Sequence, residues 1–144
     1  PVFNYNLRAE VISSLECVDA VIVNDHQLPT KLIEIIKKHS KGKFQLETYQ
    51  SNIEGEIVSK IHKMIKEDID GLIINPGAYT HTSIAIRDAL TIFKIPLVEV
   101  HITDIKIRES FRLVNLISDL CDLSIIGKGV DGYIEAIDYL YEKN

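Results

Sequence analysis

Short apolar runs alternate along the chain with longer stretches of helical spacing. The runs have the length of strands and cover residues 18–24, 44–49, 71–74, 96–100 and 124–126. The stretches between them carry apolar residues three or four positions apart and cover residues 29–40, 53–66, 83–93 and 130–141. Strands that alternate with helices in this way predict a parallel sheet with helices on both faces.

The connections between these elements narrow the fold further. Five parallel strands joined by right-handed crossovers predict a flavodoxin-like, three-layer α/β/α fold whose middle layer is a sheet of order 2-1-3-4-5. We expect residues 1–144 to form a single domain, because no linker or internal repeat interrupts the pattern. A chain of this length buries about 70% of its unfolded surface, so it requires no disulfide or metal for stability.

Composition and charge argue against several classes of protein. The chain has 16 basic and 21 acidic residues and a net charge of −5, which argues against a protein that binds nucleic acid or a membrane surface. No apolar run is long enough to predict a transmembrane helix. Cys17 and Cys121 lie far apart, as expected for reduced thiols in a cytoplasmic protein. The scattered histidines predict no metal site.

Polar residues cluster where the third and fourth predicted strands end. Asn75 and His81 follow the third strand, whereas Glu99 and His101 belong to the fourth. Ligands of open parallel sheets bind outside the carboxyl ends of the strands. Strand alternation places Glu99 and His101 on the same side, where the carboxylate can fix the tautomer of the imidazole. Such a pair suits a general acid.

Two arginines add positive charge near this edge. Arg108 and Arg112 are four residues apart in a predicted helical turn, so both can face one place and clamp an anion. Thr80 is a candidate cap for the helix that follows it. These residues also have ordinary structural roles, since arginines often pair with acids such as Glu109. Their convergence favours an anion-binding site but does not define a reaction.

Five sequence blocks, in a fixed order, carry a resemblance to a known enzyme family. They are QSNIEGE at residues 50–56, NPGAYTHTSIAIRDAL at 75–90, PLVEVH at 96–101, RESFR at 108–112 and GKGVDGY at 127–133. Together they make about residues 37–144 similar to the type II 3-dehydroquinate dehydratases. The resemblance implies a lyase of the shikimate pathway. It would eliminate water from 3-dehydroquinate through an enolate, giving 3-dehydroshikimate without a metal or organic cofactor.

The resemblance also implies an assembly and a role for each site residue. Subunits of this family form trimers, and four trimers form a dodecamer. His101 would protonate the departing hydroxyl, Glu99 would orient His101, and Asn75 would position a water at the enolate oxygen. The implied substrate-binding groups are the side chains of His81 and Arg112 at ring hydroxyls, the backbone of Ile102 and Thr103 at the carboxylate, and Asp88 from a neighbouring subunit.

Within the matching part, four positions differ from the family pattern. Thr103 and Asp104 stand where the family has Ser and Asn, and Asp104 would weaken the binding of an anion if it pointed inward. Leu113 and Asn115 stand where the family has His and Ser, and we expect these two residues to affect packing more than chemistry.

The beginning of the chain differs more strongly. The family has NGPNLN after its first strand, and then a lid of the form LGxREPxxYG whose Arg and Tyr form the base that removes the C2 proton. Here the short segment 25–29 contains neither residue, and Tyr5 and Arg8 precede the strand. Residues 1–36 are therefore atypical for the family.

Two alternatives to the dehydratase follow from this difference. The first is a catalytically impaired paralogue that acts as an oligomeric anion-binding or scaffold protein. The second rests on RAEVISSLECVDAVIV at residues 8–23, which resembles a stretch of glycerol-phosphate-type cytidylyltransferases. The HxGH motif of those enzymes is absent from the sequence.

Overall fold

A five-stranded parallel sheet runs through the centre of the molecule and has helices on both faces. The structure, a computed structural model, describes residues 19–24 and 30–143. The strands are β1 (Asp19–Asn24), β2 (Gln45–Gln50), β3 (Gly71–Asn75), β4 (Leu97–His101) and β5 (Leu123–Ile126). The helices are α1 (Thr30–Ser40), α2 (Glu54–Met64), α3 (Ile84–Leu90) and α4 (Asp131–Lys143). The strand order β2-β1-β3-β4-β5 confirms the flavodoxin-like fold predicted from the sequence.

The strand register brings the predicted site residues to one edge of the sheet. Asn24, the last residue of β1, is level with Asn75, the last residue of β3. Ile74 of β3 is level with Glu99 of β4, and His101 pairs with Ile126 at the end of β5. Because all strands run in the same direction, their carboxyl ends form a single polar rim.

The continuous apolar runs of the central strands reflect burial on both faces of the sheet. Ile73 packs into the core beneath α1 and α4, whereas its neighbours Leu72 and Ile74 pack into the core beneath α2 and α3. All three side chains are fully buried. The edge strand β2 is different: it has no fully buried residue, and its two apolar residues, Leu46 and Tyr49, pack against the cores on opposite faces of the sheet.

Two local predictions from the sequence are wrong. Ser83, and not Thr80, caps α3, because residues 77–81 form a 3₁₀ turn before the helix and the Ser83 hydroxyl accepts a hydrogen bond from the Ile86 amide at 2.9 Å. Arg108 and Arg112 do not share a helical turn. Arg108 lies between two short 3₁₀ turns, Ile105–Ile107 and Ser110–Leu113.

Several sequence features fall outside the described residues, namely Cys17, Tyr5, Arg8 and the segment 25–29. No described helix is both long enough and apolar enough to cross a membrane. Within residues 19–24 and 30–143, no three His, Cys, Asp or Glu side chains come together as they would to hold a metal ion. Cys121 is half-buried and bonds to the Ile117 carbonyl.

Candidate active site

A cavity of about 480 Å³ opens at the carboxyl edge of β3 and β4. Six of the eight site residues predicted from the sequence line it, namely Asn75, His81, His101, Ile102, Thr103 and Arg112. Arg108 also lines it, so the two arginines converge on one place as predicted although they share no helix. Glu99 is bonded to His101 beneath the cavity, and Asp88 does not line it.

The Glu99–His101 pair lies at the end of β4. Glu99 is fully buried and His101 is only 4% exposed. The Nε2 atom of His101 lies 2.6 Å from Oε1 of Glu99. Because Nε2 is engaged by the carboxylate, Nδ1 is the ring nitrogen left to meet a bound molecule. A carboxylate in this position also fixes the orientation and the tautomer of the ring.

Three further side chains donate hydrogen bonds to Glu99. Nδ2 of Asn115 lies 2.9 Å from each carboxylate oxygen, and the Ser124 hydroxyl lies 2.9 Å from Oε2. The Thr80 hydroxyl lies 3.3 Å from Oε1. Burial raises the pKa of Glu99, but the hydrogen bonds from His101, Asn115 and Ser124 outweigh it and hold that pKa below its ordinary value. Glu99 is thus an ionised carboxylate inside the protein.

A buried tyrosine links Asn75 to the first strand. The Tyr133 hydroxyl accepts a hydrogen bond from Nδ2 of Asn75 at 2.9 Å and donates one to Oδ1 of Asn24 at 2.7 Å. Oδ1 of Asn75 accepts from the Gly77 amide at 3.2 Å. These contacts fix which end of the Asn75 amide faces each partner, and they tie β1, β3 and α4 together at the site.

Replacing Tyr133 by phenylalanine tests this link. We expect Tyr133→Phe to lower the free energy of unfolding by about 1–3 kcal/mol, because it leaves buried amide groups of Asn24 and Asn75 without their partner. Urea denaturation measures the change. Tyr139→Phe is the matched control, since Tyr139 lies on the same helix but is half-buried. Equal stability of the Tyr133→Phe protein and the wild type would show that the link contributes nothing.

His81 and the arginines form the outer part of the cavity. Nδ1 of His81 donates to the Val114 carbonyl at 2.6 Å, and Nε2 is buried without a partner among the described residues. In the neutral ring Nε2 is therefore an acceptor, suited to a hydroxyl of a bound molecule. Arg112 pairs with Glu109 at 2.7 Å, and Arg108 bonds to the Thr103 hydroxyl. The arginines give the rim local positive charge despite the acidic composition of the chain.

Asp88, predicted to bind substrate, and Asp104, predicted to weaken anion binding if it pointed inward, do not line the cavity. Oδ1 of Asp104 accepts a hydrogen bond from the Lys106 amide at 2.8 Å and caps a 3₁₀ turn, so the carboxylate binds the backbone of its own loop. Asp88 is exposed on α3.

Sequence reasoning did not identify Tyr133, Asn24 or Ser124 as site residues, and it assigned Asn115 to packing. Tyr133 lies in a stripe of helical spacing that indicates a core residue, and its ring is indeed fully buried. The one available signal was positional: Asn24 and Ser124 lie in predicted strands next to those that carry Asn75 and Glu99. Asn115 follows an irregular segment whose path no periodicity could indicate.

The fold and the site together define a class of protein. A flavodoxin-like α/β subunit with a buried carboxylate–imidazole pair beneath a cavity lined by two arginines has the groups that acid–base chemistry requires. A profile described as "Dehydroquinase class II" matches residues 14–141. The chain belongs to this family, and the match extends further toward the start than the motif blocks, so that it includes β1 and α1.

Individual relatives agree with this assignment. The chain is 50% identical over 103 residues to the 3-dehydroquinate dehydratase of Thermotoga petrophila, covering 72% of this chain and 69% of that one. It is 41% identical over 133 residues to that of Lachnoclostridium phytofermentans, covering 92% of each chain. Its structure resembles the crystal structure of type II dehydroquinase from Butyrivibrio crossotus with a TM-score of 0.79 and 38% identity, covering 87% of this chain and 97% of that one.

Proposed function

We propose that this chain is a 3-dehydroquinate dehydratase, a hydro-lyase that converts 3-dehydroquinate to 3-dehydroshikimate in the shikimate pathway. The observation that carries the proposal is the buried Glu99–His101 pair, held 2.6 Å apart beneath the cavity of a class II dehydroquinase. The relatives named 3-dehydroquinate dehydratase support the choice of substrate.

The geometry suits an elimination in two steps. A base removes the proton from C2, and the electron pair of that C–H bond forms an enolate whose oxygen is stabilised near Asn75. The enolate then collapses and the C–O bond to the leaving hydroxyl breaks. His101 donates its proton to that oxygen, so that water leaves. Glu99 keeps the imidazole oriented for the transfer.

The other lining residues account for substrate binding. The backbone of Ile102 and Thr103, at the end of β4, would hold the substrate carboxylate beside the positive charges of Arg108 and Arg112. The Nε2 atom of His81, which has no partner among the described residues, would accept a hydrogen bond from one ring hydroxyl, and Arg112 would contact another. A guanidinium group can donate two hydrogen bonds to a carboxylate or a single one to a hydroxyl oxygen.

Asp88 is proposed to act in the cavity of a neighbouring subunit. Its helix, α3, has an exposed apolar residue near each end: Ile84 is 64% exposed, and Ile92, just beyond α3, is 52% exposed. These two exposed apolar side chains lie on either side of Asp88 in the sequence and are candidates for a subunit contact. It supports a homo-oligomer, with the trimer-based dodecamer of the family as the expected form and the cytoplasm as its expected location.

A direct assay tests the proposed reaction. Purified protein is mixed with 3-dehydroquinate, and the ultraviolet absorbance of the enone product is followed. We expect turnover that saturates with substrate concentration. A protein that binds the substrate in a calorimetric titration but produces no enone would contradict the proposed reaction.

The same pair of measurements addresses a second candidate function. Segment 25–29 contains neither the Arg nor the Tyr that the family uses to remove the C2 proton, and this observation favours an oligomeric anion-binding or scaffold protein. Substrate binding without turnover would support that function. Turnover would instead require that another group supplies the base.

A further inference from the structure

Asn115 occupies a position directly behind the catalytic pair. Its Nδ2 atom lies 2.9 Å from both Oε1 and Oε2 of Glu99. Its Oδ1 atom accepts hydrogen bonds from the amides of Ile117 and Ser118, each at 3.0 Å. Since two backbone donors hold the oxygen, the side-chain amide has only one orientation that satisfies all its partners, with its NH₂ group toward Glu99.

We infer that Asn115 is a positioning residue that fixes the Glu99 carboxylate for its contact with His101. The inference rests on the proposed function, because it assigns Asn115 a part in the same proton transfer. An NH₂ group facing both oxygens resists rotation of the carboxylate about its terminal bond. The Oε1 atom that contacts His101 at 2.6 Å is therefore also held by Asn115 at 2.9 Å.

The surroundings of Glu99 explain why this contact matters. Ser124 and Thr80 each reach one oxygen only, at 2.9 Å and 3.3 Å, whereas Asn115 reaches both. Asn115 and Ser124 also line a second cavity of about 290 Å³ near this carboxylate. Without Asn115, water from that cavity would reach a carboxylate that is otherwise dry, and the orientation of Glu99 would depend on mobile partners.

The titratable neighbours of Glu99 among the described residues are His101 and Cys121, and they decide whether a loss of the Asn115 contact can be detected as a change in titration. His101 stabilises the ionised carboxylate by a hydrogen bond and by its charge. Cys121 packs nearby, but burial raises the pKa of its thiol well above the physiological range, with the charge of Glu99 adding to the effect, so that it stays neutral. Among these groups, a substitution at Asn115 should therefore alter the titration of the Glu99–His101 pair only.

Asn115→Asp separates the two roles of the side chain. Aspartate keeps an oxygen for the Ile117 and Ser118 amides, and so keeps the turn, but it replaces the NH₂ donors with a second carboxylate beside Glu99. Two adjacent carboxylates repel each other, so one of them takes up a proton at a higher pH than an isolated carboxylate would. We expect kcat/KM to fall by about 10²-fold near neutral pH, with the acidic limb of its pH profile moved to higher pH. The second buried carboxylate should also lower the melting temperature near neutral pH, so the pH profile is the readout that reports positioning.

Two comparison variants complete the experiment. Gln45→Glu makes the same amide-to-carboxylate change at the opposite edge of the sheet, where Gln45 is exposed, and should leave kcat/KM unchanged. Asn115→Ala loses both the turn and the donors, and should lose stability as well as activity. A wild-type pH profile in Asn115→Asp, together with a damaged Asn115→Ala, would assign Asn115 to the turn alone and overturn the inference.

A measurement without substrate keeps this inference distinct from the proposed function. The ring resonances of His101 are followed by NMR against pH in the wild type and in Asn115→Asp. We expect the apparent pKa of the pair to differ between the two proteins, whether or not the chain turns over 3-dehydroquinate. Superimposable titration curves would overturn the positioning role, whereas a wild type without turnover would contradict only the proposed reaction.

Discussion

Replacing His101 by alanine should lower the turnover of 3-dehydroquinate by about 10²–10⁴-fold, the usual contribution of a positioned general acid. The imidazole is the proposed proton donor, and its Nε2 atom lies 2.6 Å from the buried Glu99 carboxylate. Without it the hydroxyl must leave as hydroxide or take its proton from water. Steady-state kinetics of the enone product measure the loss.

The effect of His101→Ala should fall on kcat more than on substrate affinity. The groups proposed to bind the carboxylate and ring hydroxyls remain in place, so a calorimetric titration should still detect binding. His62→Ala is the matched control, because His62 is exposed on α2 and lies outside the cavity. Undiminished turnover in the His101→Ala protein would remove His101 from the mechanism.

Replacing Glu99 by leucine should damage both stability and activity. The carboxylate is fully buried and accepts hydrogen bonds from His101, Asn115 and Ser124. Leucine fills a similar volume but strands these donors, at a cost of about 2–4 kcal/mol in the free energy of unfolding. Glu142→Leu, at an exposed position near the end of α4, should change this free energy little.

The conservative variant Glu99→Gln tests the charge of the site. The folded-state pKa of Glu99 is below its ordinary value, so the ionised carboxylate stabilises the fold at pH values above about 4.3, and this contribution is lost as the pH falls through the folded-state pKa. Urea denaturation of the wild type should show this loss on the acidic side, and Glu99→Gln should show less of it. Identical acid profiles would contradict an ionised Glu99.

The sequence predicted the strands and their order in the sheet better than it predicted the irregular segments between the elements. Parallel strands of nearly continuous apolar residues have few ways to pack, so the order of the sheet and the convergence of Asn75, Glu99 and His101 followed from pattern alone. Both failures concern irregular backbone. Thr80 lies in a 3₁₀ turn, so that its hydroxyl reaches Glu99 and the capping role passes to Ser83.

Asn115 illustrates a second limit of sequence reasoning. Its separation of 16 residues from Glu99 corresponds to no helical or strand period, and its position depends on how two short turns bring the chain back over β4 and β5. A polar residue after an irregular segment carries no local signal of what it will contact. Only the packed structure shows that it bonds to the carboxylate at the centre of the site.

The link from Tyr133 to the strand ends has a consequence for how the protein acquires its activity during synthesis. Asn24 precedes Tyr133 by 109 residues and Asn75 precedes it by 58, so β1 and β3 leave the ribosome long before their shared partner. The central strands can pair as they emerge, but the amide of Asn75 has no fixed orientation until α4 docks. A nascent chain stalled before residue 133 would therefore carry Glu99 and His101 but not the completed site proposed for the enolate, and we expect activity to appear only once the last helix has docked.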